Sequence, residues 1–87
     1  MREKNMIAFW RMNDLKKILG LCKASIYVRV KAGLLPKPVQ IGARAVAWPS
    51  SEIEMIVAAQ ISGQSEGVIK ALVCQIMIDR KTAFKEM

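Results

Sequence analysis

Lysine and arginine side chains, which can form ion pairs with a polyanion, are concentrated in the first half of the 87-residue chain. Residues 11–44 hold eight of them against one acid, Asp14, so this segment has a net charge of +7, equal to that of the whole chain. The eight are Arg11, Lys16, Lys17, Lys23, Arg29, Lys31, Lys37 and Arg44. Such an uneven distribution favours an anionic partner, either nucleic acid or a membrane surface.

Side chains that could read DNA occur at helical spacing within this basic segment. A helix over residues 23–32 would turn Ile26, Tyr27 and Val30 inward. A recognition helix enters the major groove with its N-terminal residues toward the base edges, and the Tyr27 hydroxyl would still reach the surface as a candidate phosphate contact. The outward side chains predicted to meet DNA are Lys23, Ala24, Ser25, Val28 and Arg29.

The sequence gives little support for catalysis or for metal or cofactor binding. The chain has no histidine, no catalytic triad and no glycine-rich phosphate loop, so we expect neither an enzyme nor a bound metal or cofactor. Cys22 and Cys74 are expected to be reduced thiols. The apolar run before Arg11 is too short for a signal-peptide core or a membrane span, which predicts a cytoplasmic protein without a membrane partner.

The local sequence pattern predicts the secondary-structure elements that position the basic helix. Residues 6–12 predict a short strand. Residues 14–19 predict a helix capped by Asn13 and closed by Gly20. Its predicted inner stripe is Leu15, Ile18 and Leu19. Two residues then separate Gly20 from the basic helix, which is the spacing of a helix-turn-helix.

A glycine and two prolines end the basic helix at residues 33–38, and a β-hairpin is predicted next. Its strands are residues 39–41 and 45–48, with Arg44 at or near the tip and Trp48 in the core. A third helix is predicted to open with a capping box of Ser51 and Glu54. The residues predicted on its inner face are Ile53, Ile56, Val57 and Ile61.

These motifs together resemble a known family, the AlpA-type small phage and prophage regulators, which overlap with the excisionases. The resemblance covers residues 11–61. It is carried by Gly20-Leu21, Ser25-Ile26-Tyr27, Gly33, Pro36-Lys37-Pro38-Val39, Ile41-Gly42, Arg44, Val46, Trp48 and Ser51-Glu52-Ile53. It implies a winged helix-turn-helix, related to the DNA-binding domain of MerR proteins, that binds double-stranded DNA to activate a gene or to assist excision.

This resemblance completes the predicted fold and site. The fold is mainly α with a small β-hairpin: a winged helix-turn-helix over residues 1–61 and a C-terminal helical extension over residues 62–87. Lys37 and Arg44 join the helix residues as predicted DNA contacts. Two positions depart from the family pattern, since Cys22 stands where a serine usually caps the recognition helix and Val28 where an arginine is usual.

The last predicted helix, residues 66–81 with Ser65 as its cap, is apolar on nearly all sides. A helix of this kind is buried on more than one side, which predicts a homodimer, the alternative being that the helix completes a small core. Its inner stripe is expected to include Val68. The predicted dimerisation residues are Ile69, Leu72, Val73, Ile76, Met77 and Ile78.

Two alternatives remain open from the sequence. The same basic face would suit a module that binds RNA or an acidic protein, and only the helix-turn-helix spacing with its wing favours duplex DNA. Within the DNA-binding interpretation, two functions have the same motifs. One is an excisionase that works with an integrase, and the other is a transcriptional regulator that works with the transcription machinery.

Overall fold

The computed structural model describes residues 8–83, with side chains to Thr82. This part of the chain folds into four helices and a three-stranded antiparallel sheet, which confirms the predicted fold class. The elements are β1 (Phe9–Trp10), α1 (Met12–Leu19), α2 (Lys23–Lys31), β2 (Val39–Gln40), β3 (Val46–Pro49), α3 (Ser50–Ile61) and α4 (Glu66–Ala83). Part of the strand predicted over residues 6–12 lies outside the described residues.

The α1–α2 pair has the predicted helix-turn-helix connection. Gly20 adopts a left-handed conformation with φ 68°, and its N–H donates to the Lys16 carbonyl at 3.0 Å. Gly33, with φ 82°, ends the turn that follows α2. Both positions favour glycine because a Cβ is strained at such φ values.

The prediction that Asn13 caps α1 is wrong. The helix begins at Met12, with Arg11 in the cap position, and the Asp14 carboxylate accepts the Arg11 backbone N–H at 2.9 Å. The buried stripe also differs from the prediction. Met12, Leu15 and Leu19 pack in the core, whereas Ile18 points away from it and is 43% exposed.

Strand β3 lies at the centre of the sheet. Trp10 pairs with Trp48 on one side, and Val39 pairs with Ala47 on the other. The Ile41 N–H donates to the Ala45 carbonyl at 2.9 Å and closes the predicted hairpin around residues 42–44. The wing is therefore tied through β3 to the N-terminal strand.

The predicted capping box at the start of α3 is also wrong. The helix begins at Ser50, and its cap residue, Pro49, makes no side-chain cap hydrogen bond. Ser50 instead joins the helix to the chain before β1: its hydroxyl accepts the Ala8 N–H at 3.0 Å, and its own N–H donates to the Ala8 carbonyl at 2.7 Å. These contacts between distant segments replace the local cap.

One hydrophobic core joins all four helices and the sheet. The Trp48 side chain is fully buried, as predicted, and its Nε1–H donates to the Pro36 carbonyl at 2.8 Å. Helix α4 begins as predicted, because the Ser65 hydroxyl accepts the Val68 N–H at 3.3 Å. The buried members of the core are Leu15, Ile26, Leu35, Trp48, Ile53, Ile56, Ile69, Val73 and Ile76.

Three further side chains predicted to face inward are exposed. Ile61 is 82% exposed because the end of α3 and the start of α4 extend past the core, leaving residues 60–68 on the surface. Val68 is 48% exposed for the same reason. Tyr27 is 40% exposed, since Ile26 and Val30 are the side chains of α2 that pack against the core.

Candidate nucleic-acid interface

The outer face of α2 carries the five outward side chains predicted from the sequence. Ile26 is fully buried and anchors the helix, and this fixes which face points to solvent. Ala24, Lys23 and Val28 are exposed, whereas Ser25 and Arg29 are half-buried. The exposed Tyr27 ring lies next to this face and is more accessible than the sequence predicted.

Cys22 occupies the cap position at the start of α2, and no side-chain hydrogen bond caps the helix there. Its Sγ atom lies 3.4 Å from the Ser25 hydroxyl oxygen. That hydroxyl, followed by the Ser25 backbone amide, lowers the pKa of the Cys22 thiol from its usual value of 9.0. The thiol is solvent-exposed and lies at the end of α2 that would approach base edges.

Arg44 lies at the tip of the hairpin and is exposed. The tip is held by the Gln40 side chain, whose Nε2 donates to the Gly42 carbonyl at 3.1 Å and to the Ala43 carbonyl at 3.3 Å. A cation in this position can reach an external anion because the hairpin projects it into solvent. The predicted placement of Arg44 in the wing is therefore confirmed, whereas its contact with DNA stays a prediction.

The Lys37 side chain is exposed, and its backbone is held by a residue that the sequence analysis missed. Arg80 of α4 donates from Nη2 to the Lys37 carbonyl at 2.8 Å. The same guanidinium binds the Glu52 carboxylate through two hydrogen bonds, of 2.8 and 2.5 Å. Arg80 thus joins α3, α4 and the segment that leads into the wing.

Among the residues that the structure describes, the cations of the basic segment have no carboxylate partner. Within residues 8–82 the ion pair present is that of Arg80 with Glu52, and neither residue belongs to the basic segment. Asp14, the one acid of that segment, is engaged by a backbone N–H rather than by a side-chain cation. The positive charge is therefore free to meet an external anion.

A shallow depression of about 420 Å³ lies beside the outer face of α2. Most of its lining residues belong to α2, and Glu66, the first residue of α4, lines it as well. The sequence analysis missed Glu66 because it lies far along the chain from α2. The lining residues are Leu21, Ala24, Ser25, Val28, Arg29, Leu34 and Glu66.

A larger groove, of about 480 Å³, lies between the sheet, α3 and α4. Most of its wall is apolar, including Phe9 and Met55, and its charged residues are the Arg80–Glu52 pair and Asp79. It shares no lining residue with the depression beside α2. The described residues contain no cluster of metal-binding side chains and no helix that is long and apolar enough to cross a bilayer.

The six side chains predicted to dimerise divide into three sets by their exposure. Ile69, Val73 and Ile76 are buried in the chain's own core, so they are not accessible to a second copy. Leu72 and Met77 are half-buried and pack against that core. Ile78, at 56% exposure, is the most accessible of the six. Helix α4 therefore completes the core, while dimerisation stays a prediction confined to its outer side.

The closely connected α1–α2 pair and the β2–β3 hairpin define the class of this protein, a helix-turn-helix protein with a hairpin wing. The family model described as "Prophage CP4-57 regulatory protein (AlpA)" matches residues 8–61, and the chain belongs to this family of phage regulators.

A second comparison finds a phage relative. The chain is 32% identical over 59 residues to "Uncharacterized protein ORF88" of Enterobacteria phage P4, an alignment that covers 68% of this chain and 67% of the phage protein. No solved structure gives a significant match.

Proposed function

We propose that this protein is a sequence-specific double-stranded DNA-binding regulator of a phage or prophage, acting as a transcriptional regulator or as an excisionase. The observation that carries the proposal is the exposed outer face of α2 within a basic segment whose cations have no carboxylate partners among the described residues. Helix α2 enters the major groove and the wing follows the backbone or the minor groove.

Each side chain of α2 has a role set by its chemistry. Lys23 and Arg29 neutralise phosphates, and Tyr27 donates its hydroxyl to a phosphate oxygen. Ser25 is short and polar and faces the base edges. Ala24 and Val28 are apolar and suit the methyl group of thymine in the major groove. This division assigns affinity to the cations and sequence preference to the three remaining outward residues.

The wing and the segment before it supply contacts outside the major groove. Arg44 at the hairpin tip lies along the backbone or in a narrow minor groove, where the negative potential is strongest. Lys37 contributes a phosphate contact from the segment before the wing. A dimer formed through the outer side of α4 would read two half-sites, and an integrase or the transcription machinery would be the further partner.

The salt dependence of binding tests the proposal directly. If about four phosphates are neutralised per monomer, log K falls with log salt at a slope of about −3.6. The measurement is fluorescence anisotropy of a labelled 20-base-pair duplex over a series of salt concentrations. A slope near zero would contradict DNA binding, and stronger competition by structured RNA than by duplex at matched salt would favour the RNA-binding alternative.

Single substitutions then separate affinity from sequence preference. Lys23→Ala and Arg29→Ala should weaken binding to all duplexes, whereas Ser25→Ala should change which sequences are preferred in a selection from random duplexes. Lys81→Ala removes the same charge outside the basic segment and serves as the control. If Lys81→Ala weakens binding as much as Lys23→Ala, the effect is one of net charge, and α2 is not the contact surface.

A further inference from the structure

Glu66 lines the same depression as side chains of α2 that are proposed to read DNA. Glu66 is exposed, and no hydrogen bond or ion pair within residues 8–82 engages its carboxylate. It shares the depression with Ala24, Ser25, Val28 and Arg29. We propose that Glu66 is a specificity-determining residue that accepts a hydrogen bond from the exocyclic amino group of a base, cytosine N4 first, and disfavours DNA that offers none.

An acid is ordinary in the first turn of a helix, so the inference rests on where Glu66 lies, in the depression that it shares with the outward side chains of α2. The basic segment contributes one acid, and that acid is already engaged by the Arg11 backbone. Glu66 comes from a different part of the chain and brings to the face that approaches a polyanion a negative charge with no ion-pair partner among residues 8–82. Such a charge repels a phosphate and offsets part of the attraction of Arg29 in the same depression, so it weakens binding that depends on the backbone alone.

A base edge can donate a hydrogen bond to the Glu66 carboxylate, whereas a phosphate cannot. In the major groove, cytosine presents its N4 amino group and adenine its N6 amino group as donors, whereas guanine and thymine present acceptors at the corresponding positions. Carboxylates are used to accept from cytosine N4. Glu66 therefore discriminates by repulsion as well as by attraction, which is a common basis of specificity.

The inference rests on the proposed DNA binding and is tested by one charge-neutralising variant with a matched control. Glu66→Gln is compared with Glu54→Gln, which removes the same charge from an exposed residue of α3 that does not line the depression. Each protein is titrated with a random-sequence 20-base-pair duplex and is also used to select duplexes from a random pool. Circular dichroism checks that both variants keep the wild-type fold.

We expect Glu66→Gln to bind random-sequence duplex about two- to five-fold more tightly than the wild type, the range typical of one exposed charge interaction, with Glu54→Gln close to the wild type. The wild type should prefer cytosine at one position by about five-fold or more, and Glu66→Gln should shift that preference toward adenine, whose N6 and N7 a glutamine amide can pair with. Equal behaviour of the two variants in both assays would overturn the role of Glu66 alone. Failure of the wild-type protein to bind any duplex would instead overturn the proposed function.

Discussion

Replacing Arg80 with alanine should destabilise the whole protein, although Arg80 lies outside the segment that matches the family. Its guanidinium makes two hydrogen bonds to Glu52 and one to the Lys37 carbonyl. The Arg80 and Glu52 side chains are 20% and 12% exposed, so neither is well solvated. Removing the arginine leaves the Glu52 carboxylate partly buried without its partner.

The expected loss follows from these exposures. Removing one partner of a fully buried pair costs about 3–5 kcal/mol. An exposed pair contributes at most about 1 kcal/mol. The Arg80–Glu52 pair lies between these limits, and we expect a loss of about 2 kcal/mol for Arg80→Ala. In a domain of this size that corresponds to a decrease in melting temperature of about 8–16 °C.

Thermal unfolding followed by circular dichroism measures this change. Arg44→Ala is the control, since it removes an arginine from the exposed hairpin tip. The double variant Glu52→Ala/Arg80→Ala should lose less stability than the sum of its two single variants, because the pair is removed together. A melting temperature for Arg80→Ala equal to that of the control would refute the reasoning that this ion pair stabilises the fold.

Three further substitutions test the wing, the outer side of α4 and the start of α2. Arg44→Ala should weaken duplex binding in anisotropy while leaving the melting temperature unchanged; normal binding with a lower melting temperature would make Arg44 structural. Ile78→Glu should convert a dimer to a folded monomer in light scattering at micromolar concentration, and a monomeric wild type would end the dimer proposal. Cys22→Ser supplies the missing cap acceptor and should stabilise α2 by about 0.5–1 kcal/mol, seen as a higher melting temperature; a lower one would contradict this account of the cap position.

The parts of the fold that the sequence predicted are those fixed by local backbone geometry. Gly20 and Gly33 were predicted to end their helices because a left-handed conformation there favours glycine, and both adopt it. Ser65 was predicted to cap α4, and its hydroxyl accepts the Val68 N–H. The burial of Trp48 followed from its place in a strand pattern next to the hairpin.

The error at the start of α3 arises because a distant residue competes with a local motif, whereas the error at Asn13 arises because α1 already begins at Met12. Ser51 and Glu54 have capping-box spacing, yet the start of α3 is set by Ser50 binding to Ala8. The sequence analysis also missed two charged residues near the site. Glu66 reaches the α2 face, and Arg80 reaches the Lys37 carbonyl, only through the packing of α4, which no local pattern encodes.

The single core of this protein depends on helix α4. Ile69, Val73 and Ile76 of α4 complete the core around Trp48, so residues 8–61 alone would leave a large apolar surface open to water. The turn at residues 62–65 is exposed and accessible to a protease. A chain that ended before this turn would lack the buried side chains of α4 and should be less stable than the intact protein.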